Sequence, residues 1–309
     1  MTVFEKGWVF YTSIQQFSCL MLQNKREFRF RTLFVTDHKL PPGQETGYPN
    51  KYQPDVLFAI ARSESRQSII ASTPDGKLPF HGTDIWNAWE LTWLGPGGMP
   101  VVATAEIRIP ADSASLIESK SLKLYLGSFA MSQFDGPGDV GDAIIKDLSA
   151  CAGGPVEVKI TRVTDTEANA TFRLPGSCLD ELTVSCKAWD VDATLLKCDP
   201  TTKIQEELHS HLLRSLCPVT AQPDIGSIAI HYSGPKIDPA SLLQYIVSFR
   251  EHNDFHEACI ERMFVDIQDR CYAEKLSIYA RYQRRGGIDI NPFRSNFEDK
   301  PRNLRLWRQ

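Results

Sequence analysis

Residues 86–109 read WNAWELTWLGPGGMPVVATAEIRI, and apolar and polar side chains alternate towards both ends of this stretch. Alternation is typical of a half-buried β-strand, because successive side chains of a strand point to opposite faces of its sheet. Between the two alternating segments lies Gly95-Pro96-Gly97-Gly98, a combination that favours a turn. The stretch therefore predicts an antiparallel hairpin with strands over Trp86–Leu94 and Val101–Ile109.

A helical period follows the hairpin in the first half of the chain. Val140, Ile144 and Leu148 are spaced so that they share one face of a helix, which predicts a helix over Asp139–Ala150. The segment Val156–Val163 after it predicts a strand. This half of the chain therefore combines a hairpin, a helix and a further strand.

The second half of the chain shows a similar succession of elements. Asp238-Pro239 is a typical helix start, because aspartate caps the first turn and proline is tolerated at its first position. The periodic apolar residues predict helices over Lys203–Ser215, from Asp238 onward and over Asp254–Arg270, strands over Ser227–Tyr232 and Lys275–Tyr282, and a turn at Gly286-Gly287.

Short segments of the two halves resemble each other. Residues 125–129 read YLGSF and residues 245–249 read YIVSF, while KDL at 146–148 corresponds to VDI at 265–267. The two pairs have nearly the same offset. A tandem duplication of a strand-strand-helix-helix-strand-strand unit is the simplest explanation.

We expect three parts along the chain. Residues 1–35 end in a basic run and share no hydrophobic period with the rest of the chain, which indicates an N-terminal extension outside the fold. Residues 36–170 and 171–309 are the two predicted modules, with their boundary in a poorly patterned segment. Within the first module, Leu40–Pro79 is rich in proline, glycine and serine and predicts an extended arm laid over the domain.

Composition narrows the cellular context. The formal net charge of −4 over 309 residues is too small to draw the whole molecule towards nucleic acid or an anionic membrane. Eight cysteines are scattered without CxxC pairs through a chain too large to need disulfides, so we expect reduced thiols. No uninterrupted apolar stretch reaches the roughly 20 residues of a membrane span. These features predict a cytoplasmic protein that does not contact a membrane.

Cys217 and Asp224, seven residues apart, form the first candidate pair for chemistry. A cysteine attacks as a thiolate, and an acid within reach can accept its proton and later return it to a developing anion. A lone cysteine among apolar neighbours is also typical of a small core residue, so the pattern alone leaves both interpretations open.

His256 and Glu257 form a second candidate pair. Helical spacing places His256 four residues before Ile260, on the apolar stripe of the predicted helix, with Glu257 at its border. Leaving a buried polar group unpaired costs about 1–3 kcal/mol, so both side chains need partners. A satisfied core histidine and a helix-start glutamate remain the alternative.

Two basic segments are candidate anion sites. The string ESKSLKLY at 118–125 places Lys120 and Lys123 close to Glu118, and Arg284-Arg285-Gly286-Gly287 combines cations with glycines that allow a ligand to approach the backbone. Solvated helix edges and basic turns also have such compositions, so neither segment identifies a site by itself.

Zinc ligation is a further possibility. Six possible ligands occur in the second half, namely His209, His211, Cys217, His252, His256 and Cys259. The HExxH order is absent, and the cysteines lack the paired spacing of structural zinc sites. We therefore expect no metal.

Four strings occur together and in the order found in one enzyme family. They are ESKSLKLY at 118–125, LCPVTAQPD at 216–224, FHE at 255–257 and YARYQRRGG at 279–287. From about Lys39 to Gln309 the chain resembles the two-module form of the 7-cyano-7-deazaguanine reductases, the QueF family. The resemblance implies an α+β fold of two tandem tunnelling-fold (T-fold) modules, in which antiparallel sheets carry helices on one face and sites form at module interfaces.

The resemblance also implies a reaction: NADPH-dependent reduction of the nitrile of 7-cyano-7-deazaguanine to an aminomethyl group, a step towards the tRNA base queuosine. Cys217 would attack the nitrile carbon to form a thioimide, and Asp224 would protonate the nitrogen, with His256 as the third catalytic residue. The implied substrate contacts are Ile117, Glu118, Ser119, His256 and Glu257. The implied contacts to NADPH are Ser119, Lys120, Arg285 and Gly286.

Two other functions stay open. A zinc-dependent cyclohydrolase acting on purines or pterins would share the T-fold but would need converging metal ligands. The segment Arg281–Arg308, where aromatic residues lie between arginines, is compatible with an RNA-associated module, although acidic residues dilute it. For the reductase we expect a small deazapurine as partner, no direct contact with nucleic acid, and a homodimer by analogy with barrels that close across subunits.

Overall fold

A computed structural model describes residues 47–72, 76–165 and 171–309, which form ten strands and five α-helices. The strands are β1 (Ala59–Ala61), β2 (His81–Leu94), β3 (Pro100–Pro110), β4 (Ser115–Ile117), β5 (Glu157–Arg162), β6 (Ser177–Cys178), β7 (Cys198–Leu216), β8 (Pro223–Ile237), β9 (Lys275–Tyr282) and β10 (Ile288–Ser295). The helices are α1 (Arg62–Ser72), α2 (Ser119–Gly127), α3 (Pro137–Ala152), α4 (Pro239–Ser248) and α5 (His256–Cys271). The predicted N-terminal extension lies outside the described residues.

Eight strands form one sheet in the order β5-β3-β2-β10-β9-β8-β7-β6. Its neighbours pair antiparallel except for the short parallel contact between β6 and β7. The predicted hairpin is confirmed as β2 and β3, and β10 pairs with β2 so that the second half of the chain continues the sheet of the first. A separate two-stranded sheet joins β1 to β4.

The helices lie over one face of this sheet, where two apolar cores form side by side. The first core combines α2 and α3 with inward residues of β2, β3 and β10, among them Trp86 and Ile290, which are register partners. The second core combines α4 and α5 with alternate residues of β8 and β9, such as Ile230 and Ile278. This arrangement confirms the predicted α+β class with helices on one face.

The repeated segments of the sequence make the same contacts in both halves. Tyr125 on α2 donates a hydrogen bond to Asp147 Oδ2 on α3 at 2.7 Å, and its ring lies edge-on to Phe129. The corresponding residues of the second half, with the same 2.7 Å bond and edge-on rings, are Tyr245, Asp266 and Phe249. Each half therefore joins its two helices by one buried phenol and one carboxylate, as a tandem duplication predicts.

The helix predicted over Lys203–Ser215 is wrong, because these residues belong to the strand β7. The segment is rich in Glu, Gln, Leu and Lys, which favour helices locally. Pairing with β8 from Cys198 to Leu216 satisfies its backbone groups and overrides that preference. The predicted strand Ser227–Tyr232 is present but extends over the whole of β8.

The extended arm predicted over Leu40–Pro79 also needs correction. Residues 62–72 form α1, which buries Arg62, Arg66 and Ile69 against the domain. Arg62 and Arg66 find partners in distant segments, such as Asp84 and Glu261, so the arm's local composition gave no sign of the helix. The module boundary at residue 170 stays a prediction, and residues 166–170 lie outside the described part of the chain.

Two further sequence expectations concern the whole protein. Each of the seven cysteines that the structure describes is a free thiol. Among the described residues, no helix combines the length and the apolar character needed to cross a membrane.

Between the two apolar cores lies a buried cluster of five charged side chains, which we call the ion cluster: Arg62 and Arg66 of α1, Asp84 of β2, Glu261 of α5 and Arg294 of β10. Arg294 contacts both acids, at 2.8 Å to Asp84 and 2.7 Å to Glu261. Arg62 pairs with Asp84 at 2.5 Å and Arg66 with Glu261 at 2.6 Å. The ion cluster thus joins α1, both halves of the sheet and α5.

We predict that Glu261→Gln destabilises the protein by about 3–5 kcal/mol, because arginines desolvated in the interior lose their shared counter-charge. Urea unfolding followed by circular dichroism measures the change. Glu157→Gln is the matched control, since Glu157 forms only an exposed pair with Lys300 and its loss should leave the midpoint nearly unchanged. Equal midpoints for the two variants would contradict a structural role of the ion cluster.

Candidate active site

One cavity of about 220 Å³ opens where the two halves meet. The N-termini of α2 and α5, the loop between β7 and β8, and the strands β2 and β10 form its walls. Its charged, polar and nucleophilic lining residues are Glu118, Ser119, Lys120, Lys123, Cys217, Thr220, Asp224, His256, Glu257, Gln283 and Arg285. Its apolar lining residues include Trp86, Ile117, Phe255 and Ile288.

The β7–β8 hairpin brings Cys217 and Asp224 into the same cavity. Ser215 is the register partner of Asp224, and Cys217 begins the connecting loop two residues later. Within the loop, Cys217 N donates to Gln222 O at 3.0 Å, and Ala221 takes a left-handed backbone conformation to close the turn. Seven residues of sequence separation therefore become proximity across one hairpin end.

The residue before Cys217 also ties this hairpin to the start of α5. Leu216 N donates to His252 O at 2.8 Å, and Asp254 N donates to Leu216 O at 3.2 Å. These bonds hold the segment that leads into His256 beside the loop that carries Cys217. They explain how two motifs that are far apart in sequence share one cavity.

Asp224 lies between two partners. His256 Nε2 is 3.2 Å from Asp224 Oδ2, and the guanidinium of Arg285 contacts Oδ1. Burial alone would raise the pKa of Asp224, but the neighbouring His256 and Arg285 outweigh it and lower that pKa below its usual value. At neutral pH Asp224 is a carboxylate, suited to accept a proton before it donates one. The His256 ring stacks on Tyr282 with centroids 3.9 Å apart, which fixes its plane.

Glu257 forms the deep acidic wall of the cavity. Its side chain is buried, and burial raises its pKa to about 7, assisted by the negative charge of Asp84 and opposed by His256 and Arg62. Glu257 lies one helical turn before Glu261, so the ion cluster lies directly behind it. The carboxyl therefore changes charge close to neutral pH and can respond to a ligand that carries N–H donors.

Glu118 has a structural role that the sequence pattern around it did not reveal. Its carboxylate caps α2, where Oε1 accepts from Lys120 N at 2.9 Å and Oε2 from Ser121 N at 2.7 Å. Each carboxylate oxygen can accept more than one hydrogen bond, so the cap leaves capacity for a ligand. The carboxylate is held in one position by the helix that follows it.

Three cations lie along the cavity: Lys120, Lys123 and Arg285. Burial together with nearby Arg285 lowers the pKa of Lys123, although Glu118, Cys217 and Asp224 oppose this. Gly286 packs on the Lys123 stem, where an added Cβ would lie 3.2 Å from Cδ. Gly286 and Gly287 both have positive φ, as a two-residue hairpin turn requires, which confirms the predicted turn.

The structure places nine of the ten sequence-predicted site residues on the cavity wall: Ile117, Glu118, Ser119, Lys120, Cys217, Asp224, His256, Glu257 and Arg285. Gly286 lies behind Lys123 and is not a lining residue of the cavity. Lys123 also lines the cavity, one helical turn after Ser119; the sequence placed it in a candidate anion segment, but it was not among the residues that the family resemblance implied. Sequence reasoning missed Trp86, which reaches the cavity only because β2 pairs with β10.

Cys217 is less buried than Cys259 and Cys271. Cys259 is fully buried, and burial raises the pKa of its thiol well above the usual value. Burial likewise raises the pKa of Cys271 to about 12. Cys217 instead lines the cavity, beside Asp224 and Lys123, which gives it access to a ligand.

This combination of an α+β fold with an accessible thiol, an ionised acid and several cations around one cavity defines a class: it is typical of an enzyme active site. Sequence comparisons agree with that class. The family described as nitrile reductase, 7-cyano-7-deazaguanine-reductase N-term matches residues 48–160. The family described as QueF-like protein matches residues 223–301.

An NADPH-dependent 7-cyano-7-deazaguanine reductase from Azoarcus sp. (strain BH72) is 51% identical over 261 residues, which cover 84% of this chain and 92% of the relative. The chain belongs to this family of nitrile reductases. Among solved structures, the archaeosine synthase QueF-Like in its apo form is 12% identical, with a TM-score of 0.27, covering 30% of this chain and 91% of its own.

The two roles of Glu118 can be separated by substitution. Glu118→Ala should lower stability by about 1 kcal/mol, because α2 loses its cap. Glu118→Asn should keep the cap, since asparagine is a good N-cap residue, and so retain the melting temperature while losing the carboxylate. Thermal unfolding measures the melting temperature of both variants, and titration with 7-cyano-7-deazaguanine measures their ligand affinity. Full ligand affinity in Glu118→Asn would show that the carboxylate serves only the helix.

Proposed function

We propose that this protein reduces the nitrile of 7-cyano-7-deazaguanine to the aminomethyl group with NADPH, in the route to queuosine. The observation that carries the proposal is the convergence of Cys217, Asp224, His256 and Glu257 with the α2 N-terminus on one cavity. Oxidation of NADPH that depends on the nitrile base tests it directly. No oxidation by folded protein would refute it.

In the first step of the reaction, the chain's own residues carry the proton. As the Cys217 sulfur bonds to the nitrile carbon, its proton passes to the Asp224 carboxylate, which is ionised in the free protein. Asp224 then returns that proton to the nitrogen, so the triple bond becomes a C=N double bond and a thioimide forms. Arg285 and His256 stabilise the carboxylate before and after this transfer.

The two carboxylates, Glu118 and Glu257, suit the recognition of the base. The amidine-like edge of a deazaguanine presents paired N–H donors, for which a carboxylate is the matching acceptor. Glu257 supplies one from the deep wall, and Glu118 supplies the other from the α2 cap. The cavity is smaller than the roughly 300–1,000 Å³ of typical ligand pockets, which suits a bicyclic base.

The residues also fit NADPH. Lys120, Lys123 and Arg285 supply cations for its phosphates, with Ser119 and Gly286 beside them. Two NADPH molecules, bound one after the other, would each supply one hydride, and together these convert the carbon–nitrogen bond to an amine. Arg285 contacts Asp224 and Gln222 in the free protein, so it must be shared with the cofactor.

Residues 136–141 fit GxGxxG spacing but open α3, without the parallel strand of a Rossmann site.

The alternatives find less support. A zinc cyclohydrolase needs metal ligands beside the substrate, whereas the set of three that converges within the described residues is Cys178, His209 and His211, outside the cavity lining. An RNA-associated module needs exposed arginines, but of the arginines in the C-terminal segment only Arg302 and Arg308 are exposed, whereas Arg281 and Arg294 are buried. Their guanidinium groups hold the fold together rather than face a partner.

The same proposal includes a cytoplasmic homodimer that does not bind nucleic acid directly. Free thiols are typical of a reducing compartment. The strand β5 ends the described sheet, so its outer edge can pair with a second copy. Light scattering measures the assembly state, and a monomer at working concentration would contradict this part of the proposal.

Without NADPH the reaction should stop at the thioimide, because no hydride is available to release it. Incubation with the nitrile base should add one base mass to the intact chain, and peptide mapping should place it at Cys217. Cys217→Ala should form no adduct, and Asp224→Asn should form it slowly. Cys178→Ser, which removes an exposed thiol, is the control and should react normally. An adduct at any other cysteine would contradict the mechanism.

Binding of the base should depend on pH through Glu257. Below its pKa of about 7 the carboxyl is protonated, and it must lose that proton to accept two N–H donors. In a Cys217→Ala background, affinity should therefore rise with pH by up to about tenfold per unit below pH 7 and level off above it. Calorimetric titration across this range measures the slope. In Glu257→Gln the slope should vanish, and its persistence would assign it to another group.

A further inference from the structure

A second cluster of reactive side chains lies outside the catalytic cavity, at the β6 edge of the sheet. One ligand atom each of Cys178, His209 and His211 lies within 4.8 Å of the other two. A cysteine with two histidines is a ligand set that borderline-soft divalent cations prefer. The cluster has no part in the reaction described above.

The fold builds this cluster from one short strand contact. The parallel pairing of β6 with β7 places Cys178 opposite His209, and His211 follows two residues along β7. Gly176 has a φ of 77°, and a Cβ there would lie 1.9 Å from Glu207 O, so only glycine lets the chain approach β7 this closely. The approach of the two strands therefore depends on a specific residue of the sequence.

Hydrogen bonds orient both imidazoles. His209 Nδ1 is 2.9 Å from Pro175 O, and His211 Nδ1 is 2.8 Å from Ser227 Oγ. With Nδ1 engaged, Nε2 of each ring is the nitrogen left for a metal, and such outer contacts are typical of histidine ligands. Asp180 Oδ2 also accepts a hydrogen bond from the His211 backbone N–H at 2.9 Å and adds negative charge. Arg308, which donates to Ser227 Oγ, contributes positive charge nearby.

We propose that Cys178, His209 and His211 bind one Zn²⁺ ion, with water as the fourth ligand. Binding replaces the Cys178 S–H bond by a sulfur–zinc bond and releases the proton to solvent. Cys178 is exposed, which gives the ion an entry path and lets the side chain close the remaining distance. The ion clamps the two-residue strand β6 onto β7, and with it the segment that precedes Asp180.

Cobalt(II) is the probe that tests this on the full chain, because a cobalt–thiolate bond produces a near-ultraviolet charge-transfer band. The wild-type protein should show the band at saturation with one ion per chain. The Cys178→Ser variant should lose the band. The Cys186→Ser variant should keep the band, because Cys186 is partly exposed but lies outside the cluster. Cys217→Ser should also keep it. A band lost in Cys217→Ser and retained in Cys178→Ser would place the metal at the catalytic cavity and overturn the proposal.

Zinc itself provides a second readout that does not depend on activity. Zn²⁺ should raise the melting temperature of the wild type and of Cys186→Ser, because an ion that binds only the folded state stabilises it. The shift should be lost in Cys178→Ser and in His211→Gln, with circular dichroism confirming that both are folded. Equal shifts in all four proteins, or none in the wild type, would refute the site.

Discussion

The ion cluster is the constraint on which the arrangement of this protein depends. Three arginines and two carboxylates are withdrawn from water between the apolar cores, and each depends on partners from other segments. Charges desolvated in this way tolerate no loss of alignment, because an uncompensated buried charge is costly. Hence α1, β2, β10 and α5 must meet in one geometry.

That geometry determines the catalytic cavity. Glu257 lies one turn before Glu261 on α5, so fixing Glu261 fixes the carboxylate that forms the deep wall of the cavity. Pairing of β2 with β10 brings Trp86 and the α2 N-terminus to the same opening. Burial raises the pKa of Glu257, and the ion cluster behind it adjusts that pKa further, since Asp84 raises it and Arg62 lowers it. Stability and recognition therefore share one set of interactions.

The duplicated architecture explains why each chain has one composite cavity of this kind among its described residues. Both halves keep the phenol–carboxylate contact, Tyr125 with Asp147 and Tyr245 with Asp266, because it joins the two helices within each half. The lining of the cavity is divided instead: the first half contributes the α2 N-terminus with Lys120 and Lys123, and the second half contributes the loop that carries Cys217. Neither half could form the site alone.

The sequence by itself determined what local patterns control. Alternation predicted the β2–β3 hairpin, Asp238-Pro239 predicted the start of α4, and four motifs identified the residues that line the cavity. Only the tertiary structure decided that Lys203–Ser215 is a strand, that α1 is a helix, and that Glu118 caps α2 while facing the site. It also brought Cys178 to His209 and His211, a grouping that no spacing in the sequence indicated. The physical reason is range: caps and turns are settled by neighbours in sequence, whereas strand pairing and buried charge depend on residues that only folding brings together.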